Sequence, residues 1–283
     1  MSSVSRLLVK SPGSKPGLHR IAGPGDAGLR FLEFSLLNLA PEFPSWSAST
    51  GSREYSFDVY SGKISVEGRG PDGPFELRHV GRRDSVFNGP PEVVYLPPGC
   101  EFTVRATDVA RVGIFTAPST ARTPPAHVGG DQAIKLTVGR GNWTRNVVTS
   151  IGNNLAAESL LLGETLNPAG NWSSAPPHKH DTHSGGAAVP AEVPMEEIYH
   201  FQIDPPQGFG MMRVYTAPDA PEPFDEALVV EDGDTVLIPR GYHPVAAAPG
   251  YRLHYTWGMA GEERRYGAWT EDPRHVWVKT ASA

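Results

Sequence analysis

Apolar and polar residues alternate over short runs through most of the chain. Leu32, Phe34 and Leu36 fall on one face of an extended segment, and Tyr55, Phe57 and Val59 repeat the pattern. A period of two predicts half-buried strands. Further short strands are predicted at 63–67, 75–80, 92–96, 101–106 and 111–116, separated by Gly, Pro or Asp turns. The segment 117–131 is polar and rich in Pro and Gly, and reads as a linker. A second set of strands is predicted at 133–138, 145–150, 159–166, 210–216, 227–231, 235–239, 245–248 and 253–257, with two more around the candidate site described below. The first 25 residues read as an extended arm with one short strand at 6–10. The tail from 262, with Trp269 and Trp277, is expected to fold back over the second half. Helical periodicity is poor everywhere, and 151–159 is the best short helical candidate. Many short strands at this spacing predict an all-β fold of sandwiches or barrels. The expected division is a domain at 1–120 and a second at 121–283.

Composition sharpens this picture. The 283 residues include 31 Gly and 28 Pro, dense punctuation that suits tight turns rather than helices. The formal net charge is −6 and the basic residues are scattered, so a nucleic-acid partner is not expected. No run of eighteen apolar residues occurs, and the N-terminus lacks a secretory pattern, which predicts a cytoplasmic protein without a membrane partner. Cys100 stands alone and is expected to be a buried small side chain.

The chemistry concentrates between residues 170 and 243. His178 and His180 are one residue apart, so on a strand both point to one face. Glu197 follows in an aromatic, strand-like run, and His243 follows an apolar strand and the turn Pro239-Arg240-Gly241. Three imidazoles and a carboxylate suit one divalent first-row ion, with Zn, Mn, Fe, Co and Ni all acceptable and positions left for substrate. His183 and His200 are read as non-ligands, and Trp172 and Phe209 as core. The first half echoes the second: Leu96-Pro97-Pro98-Gly99-Cys100-Glu101 parallels Ile238-Pro239-Arg240-Gly241-Tyr242-His243, and Arg53-Glu54-Tyr55-Ser56-Phe57 parallels Glu196-Glu197-Ile198-Tyr199-His200. No His pair precedes the first-half copy, which is therefore read as metal-free.

His178, His180 and Glu197, then Gly233, Pro239, Gly241 and His243, resemble the two cupin motifs. Longer strings narrow the likeness. GNWTRNVVTSI (141–151), GNWSSAPPHKHD (170–181), EEIYHFQIDPPQGFG (196–210), VEDGDTVLIPRGYHPVAAAPGY (230–251) and SVFNGPPEVVYLPPG (85–99) are similar to the 5-deoxy-glucuronate isomerases of myo-inositol catabolism, a bicupin family. The insert 182–191 and His200 depart from that pattern without touching a candidate ligand. The resemblance implies two jelly-roll barrels and a metal-dependent aldose-to-ketose conversion of 5-deoxy-D-glucuronate to 5-dehydro-2-deoxy-D-gluconate. Such a reaction needs a general base, for which Glu164 is favoured over Glu196, the latter alternating away from the ligands. Tyr199 and Tyr242 flank the ligand set and suit sugar hydroxyls. Arg145 and Arg213 suit the substrate carboxylate. Lys179, between two ligands but facing away from them, completes the substrate-binding candidates. Two rival readings stay open: a cupin dioxygenase, and a non-catalytic sugar-binding cupin. The polar residues Asn171, Ser173, Ser174, Lys179 and Gln207 favour a hydroxyl-rich substrate. A homo-oligomer is compatible with the resemblance.

Overall fold

The computed structural model describes residues 5–186 and 190–281, so part of the 182–191 insert lies outside the described residues. Among the described residues the chain is built from strands and three short 3-10 turns, and no helix is long and apolar enough to cross a membrane.

Four sheets stack in succession. In the first half, a four-stranded sheet (Ser45–Ser49, Glu101–Ala106, Ile64–Gly70, Gly73–Val80) packs on a six-stranded sheet centred on Arg53–Ser61 and Ala110–Pro118. In the second half, a seven-stranded sheet centred on Met195–Asp204, Arg252–Gly261 and Leu161–Asn167 packs on a four-stranded sheet that includes Phe209–Tyr215 and Asp225–Glu231. The six- and seven-stranded sheets then pack on each other. Leu37, Phe57, Val59 and Val94 face the first four-stranded sheet, whereas Phe34, Leu36, Tyr60 and Phe115 face Leu162, Ile198 and Leu237 of the second half. The two central sheets are thus buried on both sides. The strand Glu33–Leu39 is accordingly buried at six consecutive residues, where alternation predicted a half-buried strand. Contact between the halves is close: a Cβ on Gly258 would lie 2.3 Å from the Phe115 ring.

Two reciprocal clasps join the halves. The Glu196 carboxylate accepts the backbone N–H groups of Arg30, Phe31 and Leu32 at 2.6–2.7 Å. The Glu54 carboxylate accepts those of Glu158, Ser159 and Leu160 at 3.1, 2.7 and 2.5 Å, and the Tyr95 hydroxyl donates to it at 2.8 Å. Each half extends one buried carboxylate that gathers three N–H groups of the other. This symmetry corrects the internal alignment by one residue. Glu54 corresponds to Glu196, so Tyr55 stands where the second half has Glu197. The registers agree, since Tyr55 faces Leu96 while Glu197 faces Ile238.

Three local expectations change. The segment 151–159 is a series of turns rather than a helix: Asn154 Oδ1 accepts the Gly152 N–H and its amide donates to the Ser150 carbonyl, holding the chain in a turn. The linker contributes a strand, Ala126–Val128, to the first-half sheet beside Val93–Leu96. The N-terminal arm reaches across to the second half, where Leu8–Val9 pairs with Val236 and Thr235. The Lys10 ammonium fastens it there to Glu231 and Asp234 at 2.6 and 2.7 Å.

Candidate metal centre and its cavity

Alternation in the seven-stranded sheet decides which side chains meet. Along Met195–Asp204, residues Met195, Glu197, Tyr199 and Phe201 face the interior of the second half, while Glu196, Ile198 and His200 face the first half. The strand Arg252–Gly261 divides likewise, with Tyr255, Trp257 and Met259 inside. His178 and His180 reach the same interior from the segment before Met195, anchored by the Met195 N–H donating to the His180 carbonyl at 2.9 Å. His243 arrives from the turn after Thr235–Ile238. That turn needs glycine: Gly241 has φ 96°, and a Cβ there would lie 2.6 Å from the Tyr215 carbonyl oxygen.

One ring nitrogen from each of His178, His180 and His243 lies within 4.8 Å of the others. Glu197 Oε2 is 3.1 Å from His180 Nε2 and 3.2 Å from His243 Nε2. Behind the rings, the Nδ1 atoms of His180 and His243 lie 2.7 Å from the Met195 carbonyl and 2.9 Å from the Gly241 carbonyl. A carbonyl only accepts, so each Nδ1 carries a proton, which leaves Nε2 as the atom of each ring that can offer a lone pair to an ion. Lone pairs converging on an anion call for a cation between them. His243 Nε2 is also buried without a hydrogen-bond partner among the described residues. Burial holds His178 well below the ordinary imidazole pKa, helped by the other two rings, so it too offers a lone pair. Burial alone would raise the Glu197 pKa, but the adjoining His180 and His243 rings outweigh it and bring it to about 2. These four residues fit a divalent ion.

The cluster opens on a cavity of about 240 Å³ lined by His178, Glu197, Tyr199, Arg145, Tyr255 and Trp269, among others. Arg145 donates to the carbonyls of Trp143 and Ala175, both at 3.3 Å, and among the described residues no carboxylate pairs with it. The Tyr199 hydroxyl lies 3.2 Å from Ser174 Oγ, and its ring stacks on Tyr255 at 4.3 Å.

Four sequence candidates lie elsewhere. Glu164 is on the opposite face of its strand from the cavity-lining Thr165, between the halves, where it accepts from Arg83 Nη1 at 2.8 Å and, more closely still, from Arg83 Nη2. Arg213 is held by Asp225 at 2.5 and 2.7 Å and stacks on Tyr215 at the surface. Lys179 braces its own loop through Asp181 and Glu192 at 2.5 and 2.8 Å. Tyr242 is buried against Tyr215 rather than beside the ligands. Trp172 and Phe209, read as core, are 42% and 43% exposed on the outer sheet. His183 is exposed, and His200 is buried between the halves beside Tyr60. Cys100 is buried as expected, and burial pushes its thiol up to about 11. Sequence reading missed Tyr255, Tyr266 and Trp269 at the cavity. Only the alternation Leu253, Tyr255, Trp257 hinted at the first, and the other two belong to the tail.

Stacked antiparallel sheets enclosing such a cluster define a cupin-like protein. Oxalate decarboxylase from Bacillus subtilis, an enzyme with Mn(II) centres, aligns with 96% of this chain and 80% of its own at a TM-score of 0.62, and at 11% identity this likeness concerns the fold alone. The chain belongs to the KduI/IolB family, whose profile matches residues 7–278. It is similar to the 5-deoxy-glucuronate isomerase of Geobacillus thermodenitrificans, 34% identical over 97% of this chain and 96% of the relative. The Bacillus subtilis enzyme of that name is also 34% identical, over 89% of each chain. The crystal structure of an IolB-like protein from Salmonella typhimurium, 30% identical, superposes with a TM-score of 0.88 over 97% of this chain and all of that one. The chain is therefore an enzyme of the isomerase class, which sets aside the dioxygenase and the passive sugar-binding readings.

Proposed function

We propose that the enzyme converts 5-deoxy-D-glucuronate to 5-dehydro-2-deoxy-D-gluconate in a metal-dependent aldose–ketose isomerisation in the cytoplasm, acting on the free sugar acid without nucleic-acid or membrane partners. The observation that carries this is a three-histidine, one-glutamate cluster sharing a cavity with an arginine that has no carboxylate partner among the described residues. Each half is read as one cupin barrel, 1–120 without a metal and 121–283 with the site. Tyr55 and Glu101 at the positions of Glu197 and His243 support a metal-free first half, while Leu8–Val9 and Ala126–Val128 each pair into the sheet of the other half.

His178, His180, Glu197 and His243 would hold the ion. When bound, it would supply a positive charge that polarises the carbonyl and the neighbouring hydroxyl of the substrate. The rest falls to the protein. Arg145 takes the distal carboxylate as a planar, permanently charged donor, which orients the chain of the sugar toward the cluster. Tyr199 and Ser174 offer hydroxyls to the sugar. The apolar walls, including Trp257 and Met259, exclude water from a reactive carbonyl. Hydrogen must leave C2 and arrive at C1, and Glu164 is not assigned to that transfer because it faces away from the cavity.

Proton NMR of 5-deoxy-D-glucuronate with the enzyme in heavy water, before and after chelation, tests the proposal. Chelator-sensitive conversion to the 2-deoxy-5-keto acid is expected. Deuterium at the new methylene would mean an exchanging group carries the hydrogen, and its absence would point to a shielded proton or a hydride shift. No turnover by metal-loaded enzyme would refute the assignment.

A further inference from the structure

Two of the three histidines are oriented from behind by a backbone carbonyl, His180 by Met195 and His243 by Gly241. His178 has no such hydrogen bond among the described residues. Its strand, His178–Lys179, is not part of the seven-stranded sheet and pairs instead with Thr270–Glu271, His178 opposite Glu271. One residue on, the Asp272 N–H donates to the Pro177 carbonyl at 2.8 Å. The Trp269 ring lies against the His178 ring, centroids 5.3 Å apart and planes at 39°. Besides the His243 ring, whose centroid lies 4.8 Å from that of His178, the contacts that fix this ring and its two-residue strand come from the C-terminal tail.

The tail is itself pinned. Asp272 is buried to 1% exposure, and its carboxylate accepts the Tyr215 hydroxyl at 2.9 Å, the Arg274 N–H at 2.9 Å and the Arg274 guanidinium at 2.7 Å. Tyr215 ends a strand of the outer four-stranded sheet and pairs through its backbone with Tyr242, the residue before His243. A line of direct contacts thus runs from the rigid turn carrying His243, through Tyr215 and Asp272, to the strand carrying His178.

We propose that residues 269–272 form a strap that positions His178 for metal binding, with Trp269 setting the plane of the ring and Asp272 setting the place of its strand. Both are positioning residues, and the inference rests on the metal reading above. Supporting groups behind a ligand typically change metal affinity by about 10–100-fold when removed. His180 and His243 have theirs in the main chain, beyond reach of a side-chain change. For His178 the support is the Trp269 ring and a tail strand whose place depends on the Asp272 side chain.

The test is Co(II) titration of the metal-stripped, full-length protein, read by visible absorption, for the wild type, Asp272→Ala, Trp269→Ala and Trp269→Phe. Asp272→Ala and Trp269→Ala are expected to weaken Co(II) binding by roughly 10–100-fold and to alter the absorption bands, because one ligand is displaced. Trp269→Phe, which keeps an aromatic face, is expected to bind within a few fold of wild type. Wild-type affinity and bands in both alanine variants would overturn the strap. A wild type that binds no Co(II) would instead overturn the metal reading on which the strap depends. Should Asp272→Ala fail to fold, the Trp269 pair decides, since it leaves the Asp272 anchor intact.

Discussion

Replacing Glu164 by Gln separates structure from chemistry at the general-base candidate, which the fold turns away from the cavity. The carboxylate sits between the halves, accepting from Arg83 and lying 3.2 Å from His254 Nε2, with Arg83 and Glu164 each 4% exposed. Burial alone would raise its pKa, but Arg83, then His254, hold it well below the usual carboxylate range. Asp58, 3.5 Å from the same guanidinium, is pushed the other way by burial and by Glu164, so the negative charge resides on Glu164. The Gln variant keeps the shape and removes that charge, leaving Arg83 in a dry interior. Breaking a buried pair costs about 3–5 kcal/mol. The remaining Asp58 can surrender its proton to serve Arg83, which places the loss near the lower end, about 3 kcal/mol. At roughly 2–4 °C per kcal/mol for a chain of this order, melting should fall by about 6–12 °C. Thermal melting and turnover at a temperature where the variant is folded are the paired assays. Turnover should stay within a few fold. A general base contributes roughly 10²–10⁴, so a hundredfold fall in kcat with unchanged melting would refute this reasoning and restore Glu164 to catalysis.

The same pair predicts an acid limb. A depressed folded-state pKa contributes stability that is complete above the unfolded value of 4.5 and drains as pH falls below it, so the loss of melting temperature between about pH 5 and pH 3 should be smaller in Glu164→Gln than in wild type. His180→Ala and His243→Ala should each abolish metal retention on dialysis and turnover while far-UV circular dichroism is unchanged, because the sheets close without the ion; retained metal in both would sink the ligand assignment. Arg145→Ala should raise KM for the uronate by about 10- to 100-fold, from the loss of a charge-assisted hydrogen bond worth roughly 1.5–3 kcal/mol, and Arg145→Lys should recover only part; an unchanged KM would move the carboxylate site elsewhere. Glu196→Gln, which weakens three buried N–H contacts between the halves, should lower the melting temperature without changing metal content, measured by elemental analysis.

Much of this protein was legible from local pattern. Alternating runs broken by Gly and Pro are a property of the strand itself, so the all-β class followed directly. The His178, His180, Glu197, His243 set was legible because strand parity and a glycine turn place those side chains whatever surrounds them, and the longer strings pointed to the family that the whole-chain comparisons show. What local pattern could not decide was which face of a doubly buried strand looks where. Leu161 to Leu166 is apolar on both faces, so parity alone leaves Glu164 and Thr165 interchangeable; the packing of the first half against one face sends Glu164 to Arg83 and Thr165 to the cavity. Arg213 and Arg145 are equally suited to a carboxylate, and only the tertiary structure distinguishes them, setting Asp225 beside Arg213 and placing Arg145 in the cavity. The candidate ligand set is read from spacing along the chain, and so belongs to the sequence. The partner of Glu164 and the contacts of the tail with the His178 strand lie more than 80 residues away, and so belong to the tertiary structure alone.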